Sequence, residues 1–288
     1  MAEFSAEKEM TMFRRVFSAV FTMVLMALMT PPLAAWAAPD FLSAKQIVEA
    51  LENSWDEAAQ QPKQPSAEGL AVKELGGLKS RKTAAGEVKI MVTVNYPQGL
   101  GNKAVDDLVA KYAEEKLKVF ESDANEFLNE NQENPGLKSL IFVVSRPSPK
   151  YVSVVFYDSG FLGGAHGYRV FESKNYDLEK GLELKPADVY ANPEDAEDTR
   201  PQQFFVNYIN AALDKNCFDT QKEASFCAPA GVTVENLGEN LHNIALTSAG
   251  FSVIYGPYEQ GSYAEGTKFV DVPKDDLINW GISDKFWK

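Results

Sequence analysis

Histidine and cysteine are scarce in this chain, with two of each among 288 residues. His166 and His242 lie far apart, and neither has a partner at metal-ligand spacing. A secreted zinc hydrolase with its compact histidine pair is therefore excluded, and no metal or cofactor is expected. The G-x-S-x-G elbow of serine hydrolases and the G-x-x-x-x-G-K-[ST] phosphate loop are both missing. Basic residues are outnumbered, 28 Lys and Arg against 41 Asp and Glu, for a net charge of -13 at pH 7. Such a surface repels nucleic acid and anionic lipid and attracts a basic partner, although acidity alone also serves solubility. Internal repeats and low-complexity tracts are absent.

Long apolar runs are limited to one. Arg14 and Arg15 precede VFSAVFTMVLMALM, and Pro31, Pro32 and AAWAAPD follow. A basic region, a short apolar region and an A-x-A site at Ala35-Trp36-Ala37 form a secretory signal peptide over residues 1–37. The rival is an uncleaved anchor, but a bilayer needs about 20 apolar residues and the double proline cuts the run short. Glu3, Glu7 and Glu9 balance Lys8, Arg14 and Arg15, so the charge of -13 belongs to the mature chain. The acidic MAEFSAEKE is unlike a signal start, which makes Met10 or Met12 an alternative to Met1 for initiation. The expectation is a periplasmic or secreted bacterial protein with no stable membrane span after cleavage. About 250 residues remain, enough for one large domain or two small ones.

Cys217 and Cys227 stand in NCFDTQKEASFCA, and export takes them into an oxidising compartment. A structural disulfide is the expected state. It closes a loop worth about 3 kcal/mol in the chain-entropy model. Mass spectrometry of the exported protein should find no free thiol, and two free thiols would reject the bond.

Residues 38–64 read as an N-terminal helix and a polar linker. Ser43 and Gln46 have capping-box spacing, Leu42 and Ile47 form a staple, and Ile47, Val48, Leu51 and Trp55 form an apolar stripe. QQPKQPSAEG follows as a loop. Residues 65–150 form a first α+β half. In EVKIMVTVNYP, Val88, Ile90, Val92, Val94 and Tyr96 alternate as in a half-buried strand. A long amphipathic helix then runs over residues 103–129, with Val105, Leu108, Val109, Tyr112, Leu117, Phe120, Ala124, Phe127 and Leu128 on one side. SLIFVVSRP, YVSVVFYDS and GYRVFESKNYDL make a meander into the second half, residues 151–288. A second amphipathic helix opens at Arg200-Pro201 and carries Phe204, Phe205, Tyr208, Ile209 and Leu213. GVTVENL and HNIALTSAGFSVIYGPYE return to strands, and KFVDVPKDDLINWG adds a short strand and a helical turn. Without regular βαβ alternation, the fold class is α+β: mainly antiparallel sheet with two long amphipathic helices.

Two stretches hold the candidate chemistry. YDSGFLGGAHGYRVF gathers Gly160, Gly163, Gly164, Ala165, His166, Gly167 and Tyr168. A hydrolase would use His166 with Asp158, Ser159 or Glu259 in reach. The glycines lead into a strand and not a helix, so they mark positive φ, bulges or close backbone approach, not a phosphate cradle. His166 is then a contact residue or a buried hydrogen-bonding one. In YGPYEQGSYAEG, Tyr255, Tyr258 and Tyr263 cluster with Glu259 and Glu265 as a binding surface or as half-buried strand-turn-strand residues. The acidic pairs Asp106/Asp107 and Glu114/Glu115 belong to the solvated side of the long helix. Asp275/Asp276 follow Pro273, where they cap the last helix.

GGAHGYRVFESKNYDLEKGLELKPADVY and AGFSVIYGPYEQGSYAEGTKFVDVPKDDL together resemble the two hallmarks of the RsiV-like domain family. With the strand and long helix before them, the resemblance spans about residues 65–283. Members are the ectodomain of a lysozyme-sensing anti-sigma factor and the non-catalytic module of PdaC-type peptidoglycan deacetylases. The resemblance implies a non-catalytic binding module, here without an anti-sigma segment or a deacetylase domain. It implies His166, Tyr168, Tyr258, Glu259 and Tyr263 as ligand-binding residues and Gly163, Gly164, Ala165 and Gly167 as the turn. The implied partner is a basic lysozyme-like protein or, alternatively, peptidoglycan.

Overall fold

The computed structural model describes residues 43–56, 61–67, 69–83, 86–130, 135–190, 199–219, 233 and 243–288. The signal peptide, Leu42, Cys227, His242 and most of GVTVENL lie outside the described residues. The fold is α+β, as the order of periodic segments predicts.

Helix α1 (Ala44–Glu52) begins where the Ser43 hydroxyl accepts the Gln46 N–H at 3.3 Å. Asp271 adds a second anchor, accepting the Ala44 N–H at 2.6 Å. A two-residue ladder follows, β1 (Trp55–Asp56) with β2 (Gln61–Pro62). The main sheet has six strands in chain order: β3 (Ala71–Thr83), β4 (Gly86–Gln98), β5 (Gly136–Ser148), β6 (Tyr151–Phe161), β7 (Tyr168–Asp177) and β8 (Leu182–Leu184). Every pairing is antiparallel except β4 with β5, which helix α2 (Lys103–Glu130) connects as a parallel crossover. Strand β3 is the element that the sequence pattern did not announce. It is exposed along most of its length and held by 13 register pairs to β4.

The rest of the chain supplies helix α3 (Pro186–Tyr190), helix α4 (Arg200–Asp219) and a second sheet. That sheet orders as β11–β10–β9, from β9 (Ile244–Thr247), β10 (Gly250–Tyr255) and β11 (Lys268–Pro273). Helix α5 (Lys274–Asn279) closes it, with Asp275 and Asp276 in its first turn and no side-chain cap.

Period-two alternation in the strands sorts the core into layers. Val88, Ile90, Val92 and Val94 of β4 pack with Val152, Val154 and Phe156 of β6 against Val105, Val109, Phe120 and Phe127 of α2. The opposite face of the main sheet, with Val155, Tyr157 and Phe171, meets α1 and one face of the small sheet through Ala245 and Ile254. The other face of the small sheet, with Leu246, Phe251, Val253 and Val270, packs on Phe205, Ile209 and Leu213 of α4. The order is α2, main sheet, small sheet with α1, then α4. Fully burying one Val, Leu, Ile or Phe side chain is worth about 1.5–3 kcal/mol, so these layers carry most of the favourable free energy.

Polar joints fix how the two sheets meet. The Ser153 hydroxyl accepts the Leu246 N–H at 2.7 Å, and Asn175 Nδ2 donates to the Ile244 carbonyl at 2.8 Å. Both are buried, so sliding one sheet over the other would strand polar groups away from water. One of the acids expected on the solvated face has a different task. Asp106 accepts the Gly99 and Leu100 N–H groups at 3.0 and 2.9 Å, holding the turn into α2.

Candidate functional site

The loop between β6 and β7 and the loop between β10 and β11 meet, so the two stretches singled out in the sequence share one face. Gly163 and Gly164 have φ of 88° and 90°, which lets the first loop reverse with His166 exposed. Gly160 and Gly167 serve close approach instead. A Cβ on Gly160 would lie 2.7 Å from the Tyr168 ring, and one on Gly167 would lie 2.6 Å from the Gly160 carbonyl oxygen.

His166 stacks on Tyr263 with centroids 3.9 Å apart and planes 18° from parallel. Its Nε2 is 3.3 Å from the Tyr258 hydroxyl, and its Nδ1 is 2.8 Å from the Gly167 carbonyl oxygen. Tyr258 and Tyr263 are themselves 5.6 Å apart. The result is a cluster of three rings at the surface, with Tyr258 65% exposed. Arg169 supports it from β7, its guanidinium 5.4 Å from the Tyr263 ring centroid and ion-paired with Glu52 of α1 at 3.3 Å.

The Tyr258 backbone is strained. Gly256-Pro257-Tyr258-Glu259 is a β-turn in which the Glu259 N–H donates to the Gly256 carbonyl at 3.2 Å. Proline at the second position and a φ of 75° at the third are the marks of a type II turn, where glycine is preferred. Tyrosine there is a departure that the surrounding structure must hold in place. Glu259 contributes to this: its carboxylate accepts the Gly256 N–H at 2.9 Å.

Tyr263 sits on a one-turn helix whose capping box joins Ser262 and Glu265. Glu265 accepts the Ser262 N–H at 2.8 Å and pairs with Lys268 at 2.8 Å. The Lys268 hydrogen bond first, then the Ser262 N–H, hold this carboxyl at about 2, below its ordinary 4.5. A depressed acid contributes stability that is present above its unfolded value and lost as pH falls through the folded one. Thermal stability is therefore expected to drop between pH 4.5 and 2, with a flatter profile for Glu265→Gln. Melting curves across that window check it, and parallel profiles for the two proteins would refute it.

Tyr168 and Asp158 belong to the other face of the main sheet. Tyr168 donates to Asp158 Oδ1 at 2.8 Å, and Lys116 of α2 approaches Asp158 Oδ2 at 3.5 Å and also binds Glu172. Burial, then the Asp158 charge, pushes the Tyr168 phenol above its ordinary range. Asp158 is thus committed to Tyr168 and Lys116, and Glu259 to its own turn. The hydrolase pairing of His166 with either acid is not assembled. Among the described residues, no group of three or more His, Cys, Asp and Glu side chains is placed to hold a metal ion.

Beneath the ring cluster opens a pocket of about 320 Å³. Glu52, Tyr157, Ser159, Arg169 and Tyr263 give it polar edges, and Leu51, Leu137 and Phe161 give it apolar walls. Glu52, Ser159 and Arg169 were not legible as pocket residues, because α1 meets β7 only in the tertiary structure. Cys217 lies in α4.

An α+β domain with an exposed ring cluster over a pocket, and without an assembled catalytic pair, is the class these features define. Its fold is shared with two solved members of the DUF3298 family. One, from Pseudomonas aeruginosa PAO1, has a TM-score of 0.54 and 16% identity over 76% of this chain and 97% of that one. The other, from Bacteroides fragilis NCTC 9343, has a TM-score of 0.52 and 14% identity over 76% and 96%. In sequence the chain is similar to the peptidoglycan-N-acetylmuramic acid deacetylase PdaC of Bacillus subtilis (strain 168), 27% identical over 102 residues. That stretch is 35% of this chain and 22% of the deacetylase. No family model matches the chain.

Proposed function

We propose that this protein is an exported, non-catalytic binding module of the bacterial cell envelope, working as an RsiV-like domain. The carrying observation is the exposed cluster of His166, Tyr258 and Tyr263, held by a strained turn, a capping box and an Arg169–Glu52 pair. Exposed tyrosines on a pre-organised surface are the side chains that anchor interfaces. The signal sequence and the likeness to a peptidoglycan deacetylase support an envelope location. Among the described residues, no helix is long and apolar enough to cross a membrane.

A basic lysozyme-like hydrolase is the partner this reading favours, drawn to the net charge of -13 by electrostatic steering. Calorimetry with lysozyme at two ionic strengths tests it. Heat that weakens with salt is expected, and folded protein giving no heat at either salt removes that partner. The stacked rings beside a pocket favour a second reading, attachment to cell-wall glycan. Co-sedimentation with purified sacculi is its measurement, and protein left wholly in the supernatant counts against it.

A further inference from the structure

We propose that the pocket beneath the ring cluster is a binding site for one neutral pyranose unit of a glycan, of the N-acetylated class. The inference rests on the binding-module reading but not on its protein partner. Its first support is a polar group without a mate. Ser159 is 7% exposed, and its hydroxyl has no hydrogen-bond partner although the residue lines the pocket. A buried hydroxyl left unpaired costs about 1–3 kcal/mol, which a ligand hydroxyl would relieve.

Charge balance then selects the ligand class. Glu52 and Arg169 neutralise each other at 3.3 Å, and Glu52 also accepts from Thr267 at 2.6 Å. A phosphate or a free amine would have to break that pair to use either charge. A sugar hydroxyl donates to a carboxylate and accepts from a guanidinium, so it can join the pair without breaking it. The walls agree. A pyranose has an apolar C–H face, and the stacked His166 and Tyr263 rings offer a flat aromatic partner at the pocket mouth. Leu51, Leu137 and Phe161 supply an apolar lining for the acetamido methyl. The pocket volume lies at the low end of the range for small-molecule sites, about 300–1,000 Å³, in keeping with one ring and not a long chain.

The test is titration of the folded protein with N-acetylglucosamine trimer and, in a second arm, glucose trimer, followed by calorimetry and by NMR shifts. The acetylated trimer is expected to bind and the glucose trimer to bind at least about tenfold more weakly. Ser159→Val, which fills the pocket, and Tyr263→Ala should each weaken binding at least about tenfold. Tyr263→Phe, which keeps the ring, should bind within about threefold of the parent protein. Circular dichroism melts confirm that each variant is folded. Equal binding of both trimers overturns the acetamido assignment. Lysozyme heat without any sugar binding overturns the sugar site and leaves the binding module standing, and loss of both overturns both.

Discussion

Replacing Lys116 by Met is expected to lower unfolding stability by about 3 kcal/mol, while Asp158→Asn alone changes it little or raises it. Lys116 is mostly buried, 20% exposed at its side chain, and stands between Asp158 and Glu172. Methionine keeps the length of the stem but removes the charge that both carboxylates face. Asp158 is already held above the ordinary carboxylate range, first by burial, against the opposing pull of Lys116 and the Tyr168 hydroxyl. A raised acid contributes stability that is present below its unfolded value and lost as pH rises through the folded one. Ionised Asp158 therefore opposes folding at neutral pH, and Lys116 offsets it. Asparagine removes the charge yet can still accept from Tyr168. Asp158→Asn should accordingly recover much of the loss in the Lys116→Met background, and the single Lys116 variant should lose stability more steeply as pH rises. Urea unfolding of the four proteins measures the coupling. Equal losses for both single variants, adding in the double, would contradict this account.

The layers of the fold were written in periodicity. Alternation from Val88 to Val94 and the stripe from Val105 to Leu128 each name one buried face, and those faces meet across the first layer. Strand β3 could not be read in the same way. Its segment AVKELGGLKSRKT has no buried side, so no pattern was selected, and its ladder to β4 supplies the order. The direction of β5 relative to β4 was equally hidden, because alternation is the same whichever way a strand runs. At the site, glycine and tyrosine content marked both loops that meet, although His166 and Tyr258 are separated by 92 residues. Tyr168 was marked with them, yet strand parity turns its hydroxyl to Asp158 and away from the rings. Glu52, Ser159 and Arg169 carried no local signal. They become a constellation only when α1 is docked, and that docking depends on Asp271 some 227 residues away.

Tyr258→Gly is expected to separate stability from binding. The turn places Tyr258 at φ 75°, a conformation that costs a side-chain-bearing residue about 1–3 kcal/mol and glycine almost nothing. Glycine also loosens the unfolded chain, which takes back about 0.5–1 kcal/mol. The net expectation is a gain of about 0.5–1 kcal/mol, or a Tm rise of roughly 1–4 °C for a domain of this size. Binding should move the other way. The ring at Tyr258 is the most exposed of the three, and deleting it should weaken capture of lysozyme, or of sacculi if glycan is the ligand, about tenfold or more. Tyr258→Ala is the control: it loses the ring and keeps the unfavourable φ, so it should bind as poorly as the glycine variant and melt below it. Calorimetric melts and binding titrations on the three proteins decide the matter. If Tyr258→Gly melts lower than the parent protein, the tyrosine is a structural part of the turn. If it melts higher and binds as before, the strain is not held there for binding. A higher Tm with weaker capture is the result that makes the strained turn a presentation device, with the fold spending stability to hold one aromatic ring out to its partner.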